Sequence, residues 1–204
     1  MTEGVKIDLS SGLIVFAIIS VFADREGILA FVIFAAGIHE LAHFVTLSIV
    51  GGHIESVFFG LSGAVAMISD DTRISYGREL IAVTVGPLAN IAAAAILSVA
   101  AKRVDSEWLY IASGVNLTLG LFNLLPLKHL DGGRILLLTM LITQPFERAH
   151  RLLETVSGGL YMILLPLSVL VWIQTGFPAL TLSLILYLAG NLIKDVATSK
   201  KRPT

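Results

Sequence analysis

The chain has 204 residues, of which 55% are hydrophobic and 14% are charged, and its mean hydropathy is +0.86. This composition differs strongly from that of a soluble globular domain and predicts an integral membrane protein. A net charge of -1 without a basic cluster excludes nucleic acid as a partner, since phosphate neutralisation needs clustered Lys and Arg. The absence of cysteine excludes disulfides, a thiolate nucleophile and cysteine-bound zinc, so any metal must be held by His, Asp or Glu.

Six apolar runs predict an all-α membrane protein with about six transmembrane helices, because one helix needs about 20 apolar residues to cross the hydrocarbon core. The first run lacks the basic leader and the cleavage site of a secretory signal, so we predict a retained helix. We expect one integral membrane domain over 1–204, with longer connections at 51–78 and 128–156 and a C-terminal helix pair at about 157–193. The runs lie at roughly 9–23, 27–50, 79–101, 108–127, 157–173 and 177–193.

Lys and Arg divide unequally between the two sides of this six-helix arrangement. Eleven lie on the side that holds both termini and the two longer connections, and three, Arg25, Lys102 and Arg103, lie on the other side. Since basic residues accumulate on the cytoplasmic side, we predict a multi-pass cell-membrane protein with both termini in the cytoplasm. The polar ends of the second and fourth helices then meet on the cytoplasmic side.

The second run contains His39, Glu40 and His43 where apolar residues are expected. Each ionisable group at bilayer depth costs about 2.5–3.5 kcal/mol on insertion scales, so three within five residues indicate a function. Two histidines four residues apart lie one turn apart on a helix face and can reach a single ion. In zinc hydrolases of this pattern the glutamate is not a ligand and accepts a proton from the attacking water, whose pKa the metal lowers to about 7. The structural alternative is a polar patch that hydrogen-bonds to a neighbouring helix.

A catalytic zinc site of this kind usually has three protein ligands and one open position, so a third ligand is needed. Asp131 follows Pro126 and precedes two glycines, which predicts irregular backbone at membrane depth. Such backbone is tolerated where it lines a cavity, and an aspartate there would complete a site of two histidines and one carboxylate. The polar residues available near the membrane on the same side are Asp131, His129, His53, Asp70 and Asp71, of which we expect His129 to face water.

Two further stretches predict close helix packing. Asn116, Gly120 and Asn123 share one stripe of the fourth helix, which is small and polar enough to approach a neighbouring helix closely. The sequence GPLAN at 86–90 precedes an alanine run, and a proline kink with an alanine packing face explains most of it.

The segment 54–69 is too short and too rich in glycine for a spanning helix. Its apolar residues alternate on either side of Ser62 and Gly63, so we predict a re-entrant β-hairpin that enters the membrane from the cytoplasmic side. An extended substrate could pair with a free edge of this hairpin at Phe59 and Gly60, as peptides do when they add a strand. The alternative is a simple amphipathic cover.

Three motifs together resemble the site-2 protease family of intramembrane zinc metalloproteases. They are HELAH at 39–43, GPLAN at 86–90 and the spaced pattern Asn123-x-x-Pro126-x-x-x-Leu130-Asp131-Gly132. The resemblance covers about residues 27–135 and implies a three-helix catalytic core. It further implies that His39, His43 and Asp131 bind one Zn²⁺ and that Glu40 is the catalytic base. Asn123 would help to hold the substrate or the developing oxyanion, and Asn90, also a candidate substrate-binding residue, would lie near the active-site cavity without a chemical role.

The chain has room for neither the PDZ domain nor the CBS domain that some family members carry. Its layout is similar to that of the compact sporulation-type branch, whose members process a membrane-associated precursor of a transcription sigma factor. The resemblance therefore predicts a zinc endopeptidase that hydrolyses a peptide bond of a membrane-embedded or membrane-tethered protein near the cytoplasmic face.

The alternative function is a membrane metal-ion transporter or metal-handling protein that uses the same His and Asp residues for an ion in transit, as intramembrane ionisable residues often do. Only the protease needs Glu40 as a base that does not bind the metal. The expected partners are a membrane-tethered protein substrate, the lipid bilayer and a regulatory membrane protein.

Overall fold

A computed structural model of the chain describes residues 6–10, 20–21, 24, 27–60, 63–68, 74–174, 185–193 and 195. Five long helices and a small sheet make up most of this part, and residues 185–193 are helical as well. In chain order the elements are β1 (Lys6–Leu9), α1 (Leu29–Ile49), β2 (Ile54–Gly60), β3 (Gly63–Ile68), α2 (Tyr76–Val104), α3 (Glu107–Asn123), α4 (Asp131–Thr143) and α5 (Phe146–Gln174).

Three of the helices, α1, α2 and α5, are long and apolar enough to cross a membrane. Their outward faces carry large apolar side chains, such as Ile49 on α1, Ile96 on α2 and Met162 on α5, each at least 70% exposed. Helix α3 has 17 residues and occupies most of the predicted fourth run. Most of the first predicted run, and residues 177–184 of the last one, lie outside the described residues, so six spanning helices remain a prediction.

The fold is mainly helical, as predicted, and it contains a sheet of order β1-β2-β3 in which β1 adds a third strand to the predicted hairpin. The predicted hairpin is present as the antiparallel pair β2 and β3, whereas its entry into the membrane stays a prediction. Strand β1 was not predicted, because Ile7 and Leu9 alternate with charged residues over only four positions. It pairs in parallel with β2, so β2 is the central strand. The main chain of Phe59 is therefore paired on both sides, with Leu9 and with Ala64.

The irregular backbone near Asp131 lies before this residue, whereas the sequence predicted it at 131–133. Residues 124–130 form the turn, and Asp131 is the first residue of α4. Gly132 and Gly133 are helical and buried, and their role is close approach rather than irregular backbone. A Cβ atom on Gly132 would overlap the carbonyl oxygen of Leu124, and one on Gly133 would overlap that of Leu127. The glycine pair thus lets the start of α4 pack directly on the turn that precedes it.

We expect Gly133→Ala to lower the free energy of unfolding by about 1–3 kcal/mol, since a side chain forced into a filled site displaces the backbone. Gly158→Ala in α5 is the matched control, because a Cβ there meets no atom within 4 Å. Denaturation midpoints of the detergent-solubilised variants give the comparison. Equal midpoints for the two variants would contradict this packing account.

The C-terminal helical segment 185–193 and α5 cover the 124–130 turn. Leu127, Leu130, Tyr161 and Leu188 form one buried apolar cluster. Ser157 Oγ donates a hydrogen bond to the carbonyl oxygen of Pro126 at 3.1 Å. The turn that leads to Asp131 is therefore held from outside by apolar packing and by a hydrogen bond to its main chain.

Helices α1, α2 and α3 pack closely, and the buried residues of α1 and α3 at this contact are spaced four apart. Ala35 and His39 lie on the inner stripe of α1, and Ala112, Asn116 and Gly120 form the inner stripe of α3, all of them buried. A Cβ atom on Gly120 would lie 2.9 Å from the carbonyl oxygen of Pro87, so α3 approaches α2 too closely at this position for a side chain. The predicted packing stripe is confirmed for Asn116 and Gly120.

Candidate metal centre

The structure brings His39, His43 and Asp131 together in space. His39 Nε2 lies 3.1 Å from His43 Nε2 and 2.9 Å from Asp131 Oδ2, and His43 Nε2 lies 3.3 Å from the same oxygen. The two imidazoles meet edge to face, as two residues one turn apart on α1 can. Each residue offers one ligand atom to a common point, so the three could hold one metal ion.

The separations between these atoms fit a tetrahedral zinc site. Zinc binds imidazole nitrogen and carboxylate oxygen at about 2.0–2.2 Å, so two ligand atoms of one tetrahedron lie about 3.3 Å apart. The observed values of 2.9, 3.1 and 3.3 Å are close to that edge. Three converging ligands leave a fourth position open, as catalytic zinc sites require.

The hydrogen-bond partner of each Nδ1 atom, the ring nitrogen that faces away from the cluster, determines which nitrogen of the imidazole carries the proton. His43 Nδ1 lies 2.8 Å from the carbonyl oxygen of Ala82, which can only accept, so this Nδ1 carries the proton. His39 Nδ1 likewise donates to Asn90 Oδ1 at 2.7 Å. In neutral imidazoles both Nε2 atoms then present lone pairs to each other and to a carboxylate oxygen. Three acceptors that meet in this way are best satisfied by a cation.

Helix α2 supplies the outer contacts of both histidines from positions eight residues apart, which lie on one face of the helix. Ala82 accepts from His43, and Asn90 accepts from His39. Gly86 lies between them, and a Cβ atom at this position would overlap the Nε2 atom of His43. The sequence GPLAN at 86–90 therefore lines the candidate metal centre, whereas sequence analysis explained most of it by packing and only the resemblance placed Asn90 near the cavity.

Asp131 enters the site from the first turn of α4. Arg134, one turn further on, donates from Nε to Glu79 Oε1 of α2 at 2.9 Å, which ties the start of α4 to α2. Asp131 is half-buried, and its Oδ2 lies beside two imidazole nitrogens, an arrangement that is suited to bind a cation.

Glu40 follows His39 in α1 and is half-buried. Among the residues that the structure describes, the group of converging ligand atoms comprises His39, His43 and Asp131 and does not include Glu40. This placement agrees with a glutamate that acts beside the metal rather than on it.

The other predicted site residues lie at varying positions around the cluster. Asn123 is the last residue of α3 and donates to the Leu119 carbonyl oxygen at 3.1 Å. The next residue, Leu124, has its carbonyl oxygen packed against Gly132. Asn123 therefore lies close to the start of α4. Asn90 is 0% exposed and enclosed between helices, where a hydrogen bond to His39 occupies its oxygen rather than a substrate.

The remaining candidates for the third ligand lie elsewhere or outside the described residues. His129 Nε2 donates to Asp195 Oδ1 at 3.2 Å, next to the Lys128 ammonium that binds the same oxygen at 2.9 Å. His53 is exposed before β2, and Asp70 and Asp71 are not among the described residues. Sequence reasoning did not find the parts played by Ala82 and Gly86, although their spacing of four residues with Asn90 was a usable signal.

Comparison with known proteins supports a relationship to zinc metalloproteases. The sequence signature of peptidase family M50 matches residues 98–165, a range that includes Asp131. Stage IV sporulation protein FB of Bacillus subtilis is 28% identical over 154 residues, which are 71% of this chain and 54% of that protein. Zinc metalloprotease MJ0392 of Methanocaldococcus jannaschii is 28% identical over 176 residues, which are 79% of this chain and 50% of that protein. The chain thus spans about half the length of these curated relatives.

A solved structure has the same fold. The site-2 protease from Methanocaldococcus jannaschii superposes with a TM-score of 0.66 at 23% identity and covers 94% of this chain and 92% of its own. The family signature and the named relatives agree with the motifs that carry the resemblance and support the site-2 protease family, peptidase family M50, for this chain, and the solved structure shows the same fold.

Proposed function

We propose that this chain is an intramembrane zinc endopeptidase that cleaves a membrane-embedded or membrane-tethered protein. The observation that carries the proposal is the meeting of three acceptor atoms, from His39, His43 and Asp131, with the protons of both imidazoles held on the far nitrogens. One zinc ion bound there would polarise the scissile carbonyl and acidify water, as in other zinc hydrolases.

Glu40 acts as the general base in this proposal. Its carboxylate takes a proton from the attacking water while the water oxygen bonds to the carbonyl carbon, and it returns the proton to the amide nitrogen as the C–N bond breaks. Asn123, at the end of α3, is the proposed donor to the developing oxyanion.

The substrate must reach this site with its backbone unwound, because the main-chain groups of a transmembrane helix are all bonded internally. We propose that the unwound segment pairs with an edge of the sheet. The order β1-β2-β3 favours β3 or β1 for this pairing, since the main chain of Phe59 in β2 is already paired on both sides.

The proposed topology, cleavage position, substrate and regulator follow from the sequence and its family resemblance. We propose a multi-pass protein, a single membrane domain with both termini in the cytoplasm, that cuts near the cytoplasmic face. A membrane-associated sigma-factor precursor is the proposed substrate, and it is supported by the relative that is named as a sporulation protein. A regulatory membrane protein would control its access.

Metal removal tests the proposal against a metal-ion transporter. We expect the purified protein in lipid vesicles to cleave a single-span reporter, to lose at least about 90% of this activity after zinc chelation, and to regain it when Zn²⁺ is added back, because the metal supplies the electrophile. Cleavage that survives complete removal of zinc would contradict the proposal. Zinc flux across the vesicle membrane without reporter cleavage would favour the transporter.

A further inference from the structure

We infer that Asn116 of α3 is a positioning residue for the metal ligand His39, acting through Asn90 of α2. The inference rests on the proposed metal centre and extends it by two residues. Hydrogen bonds connect three helices in one line, from Asn116 to Asn90 and from Asn90 to His39, whose Nε2 faces the candidate ion. Both asparagines are 0% exposed, so no water competes for these contacts.

The amide of Asn90 has one orientation that satisfies all its neighbours. Its Nδ2 donates to the carbonyl oxygen of Ala35 at 2.9 Å and to Asn116 Oδ1 at 3.0 Å. Both neighbours are acceptors, so the two protons of Nδ2 must point at them. The acceptor atom Oδ1 is thereby forced to face His39 Nδ1.

The orientation of Asn116 is fixed in the same manner. Its Nδ2 donates to the Ala112 carbonyl oxygen one turn earlier in α3, at 2.9 Å. Its Oδ1 is therefore the atom that faces Asn90. The backbone of α3 at Ala112 consequently sets the direction of the whole line of hydrogen bonds.

The direction of this line matters because it selects the tautomer of His39. With Asn90 Oδ1 as the partner, Nδ1 carries the proton and Nε2 keeps the lone pair that a metal needs. If Asn90 turned over, its NH₂ group would face Nδ1 and favour the proton on Nε2, at the position of the ion. Asn116 disfavours that state, because the reversed amide would place two oxygen atoms against each other.

The test compares Asn116→Leu, Asn90→Leu and the double variant with a matched control. Ser113→Ala is the control, since Ser113 Oγ also donates from α3 to α2, to the Ala94 carbonyl oxygen at 2.8 Å, without leading to a histidine. The readouts are the Zn²⁺ dissociation constant, from competition with a chromophoric chelator, and the His39 tautomer of the metal-free protein, from ¹⁵N-histidine NMR.

We expect Asn90→Leu to weaken Zn²⁺ binding by about 10–100-fold, the usual effect of losing the outer partner of a metal-bound histidine. Asn116→Leu should weaken it by about tenfold and raise the fraction of His39 with a proton on Nε2. In the double variant the loss should equal that of Asn90→Leu alone, because the two residues act in series. Ser113→Ala should leave both readouts unchanged.

The Asn90→Asp background gives a second test that does not depend on the stability of Asn116→Leu. A carboxylate accepts from His39 through either oxygen and needs no orientation by Asn116. Adding Asn116→Leu to Asn90→Asp should therefore leave Zn²⁺ affinity and tautomer unchanged. Equal weakening by Asn116→Leu in both backgrounds, or no change of tautomer in Asn116→Leu alone, would overturn the inference. Wild-type protein that binds no Zn²⁺ would instead overturn the proposed function.

Discussion

Replacement of Glu40 by Gln should lower the rate of peptide-bond cleavage by about 10²–10⁴-fold, the usual contribution of a general base, while zinc remains bound. The glutamine keeps the size of the side chain and loses the carboxylate that accepts the proton. His39, His43 and Asp131 converge without Glu40, so the metal site should be intact. Initial rates of reporter cleavage in vesicles, with zinc content measured on the same samples, give both quantities.

The matched control for Glu40 is Glu147→Gln. Glu147 is an exposed residue in the first turn of α5, and the same change there should leave cleavage unaffected. Normal turnover in Glu40→Gln would rule out the proposed base. Loss of zinc in that variant would place Glu40 among the metal ligands instead.

We expect Gly86→Ala to weaken Zn²⁺ binding by about 100-fold or more, at least the upper end of the effect seen when an outer partner of a ligand is lost. The reason is steric, because the added methyl group would overlap His43 Nε2, the atom proposed to bind the metal. His43 must then turn away, and its hydrogen bond to the Ala82 carbonyl oxygen is lost as well. Competition with a chelator of known affinity measures the change.

Gly77→Ala is the control for Gly86→Ala. Gly77 also belongs to α2, and a Cβ atom there meets nothing within 4 Å. We expect wild-type affinity for Zn²⁺ in this variant. Wild-type affinity in Gly86→Ala would show that His43 does not bind the metal in the position found here.

The long helices were predictable because length and hydropathy define them. The run at 27–50 became α1 at Leu29–Ile49, and the run at 79–101 became α2 at Tyr76–Val104. The hairpin was predictable because apolar residues alternate on both sides of a glycine-containing turn. The meeting of His39, His43 and Asp131 was expected from their residue types and from the family resemblance, and the structure brings the three together.

Other features depend on partners that are distant in sequence. Strand β1 has four residues and forms by pairing with β2, more than forty residues later. Helix α4 was not predicted, because two glycines at its start suggested irregular backbone. In the structure these glycines allow α4 to pack closely against the main chain of Leu124 and Leu127. Asn90 shares a four-residue spacing with Ala82 and Gly86, but its hydrogen-bonding role depends on contacts with two other helices, α1 and α3.

The most direct test of the account is the zinc content of the detergent-purified chain, measured by elemental analysis for wild type, Asp131→Ala and Glu40→Gln. The account predicts one zinc per chain in wild type and in Glu40→Gln, and none in Asp131→Ala, because Asp131 provides one of three converging ligand atoms. A wild-type chain without zinc, or full zinc content in Asp131→Ala, would contradict it.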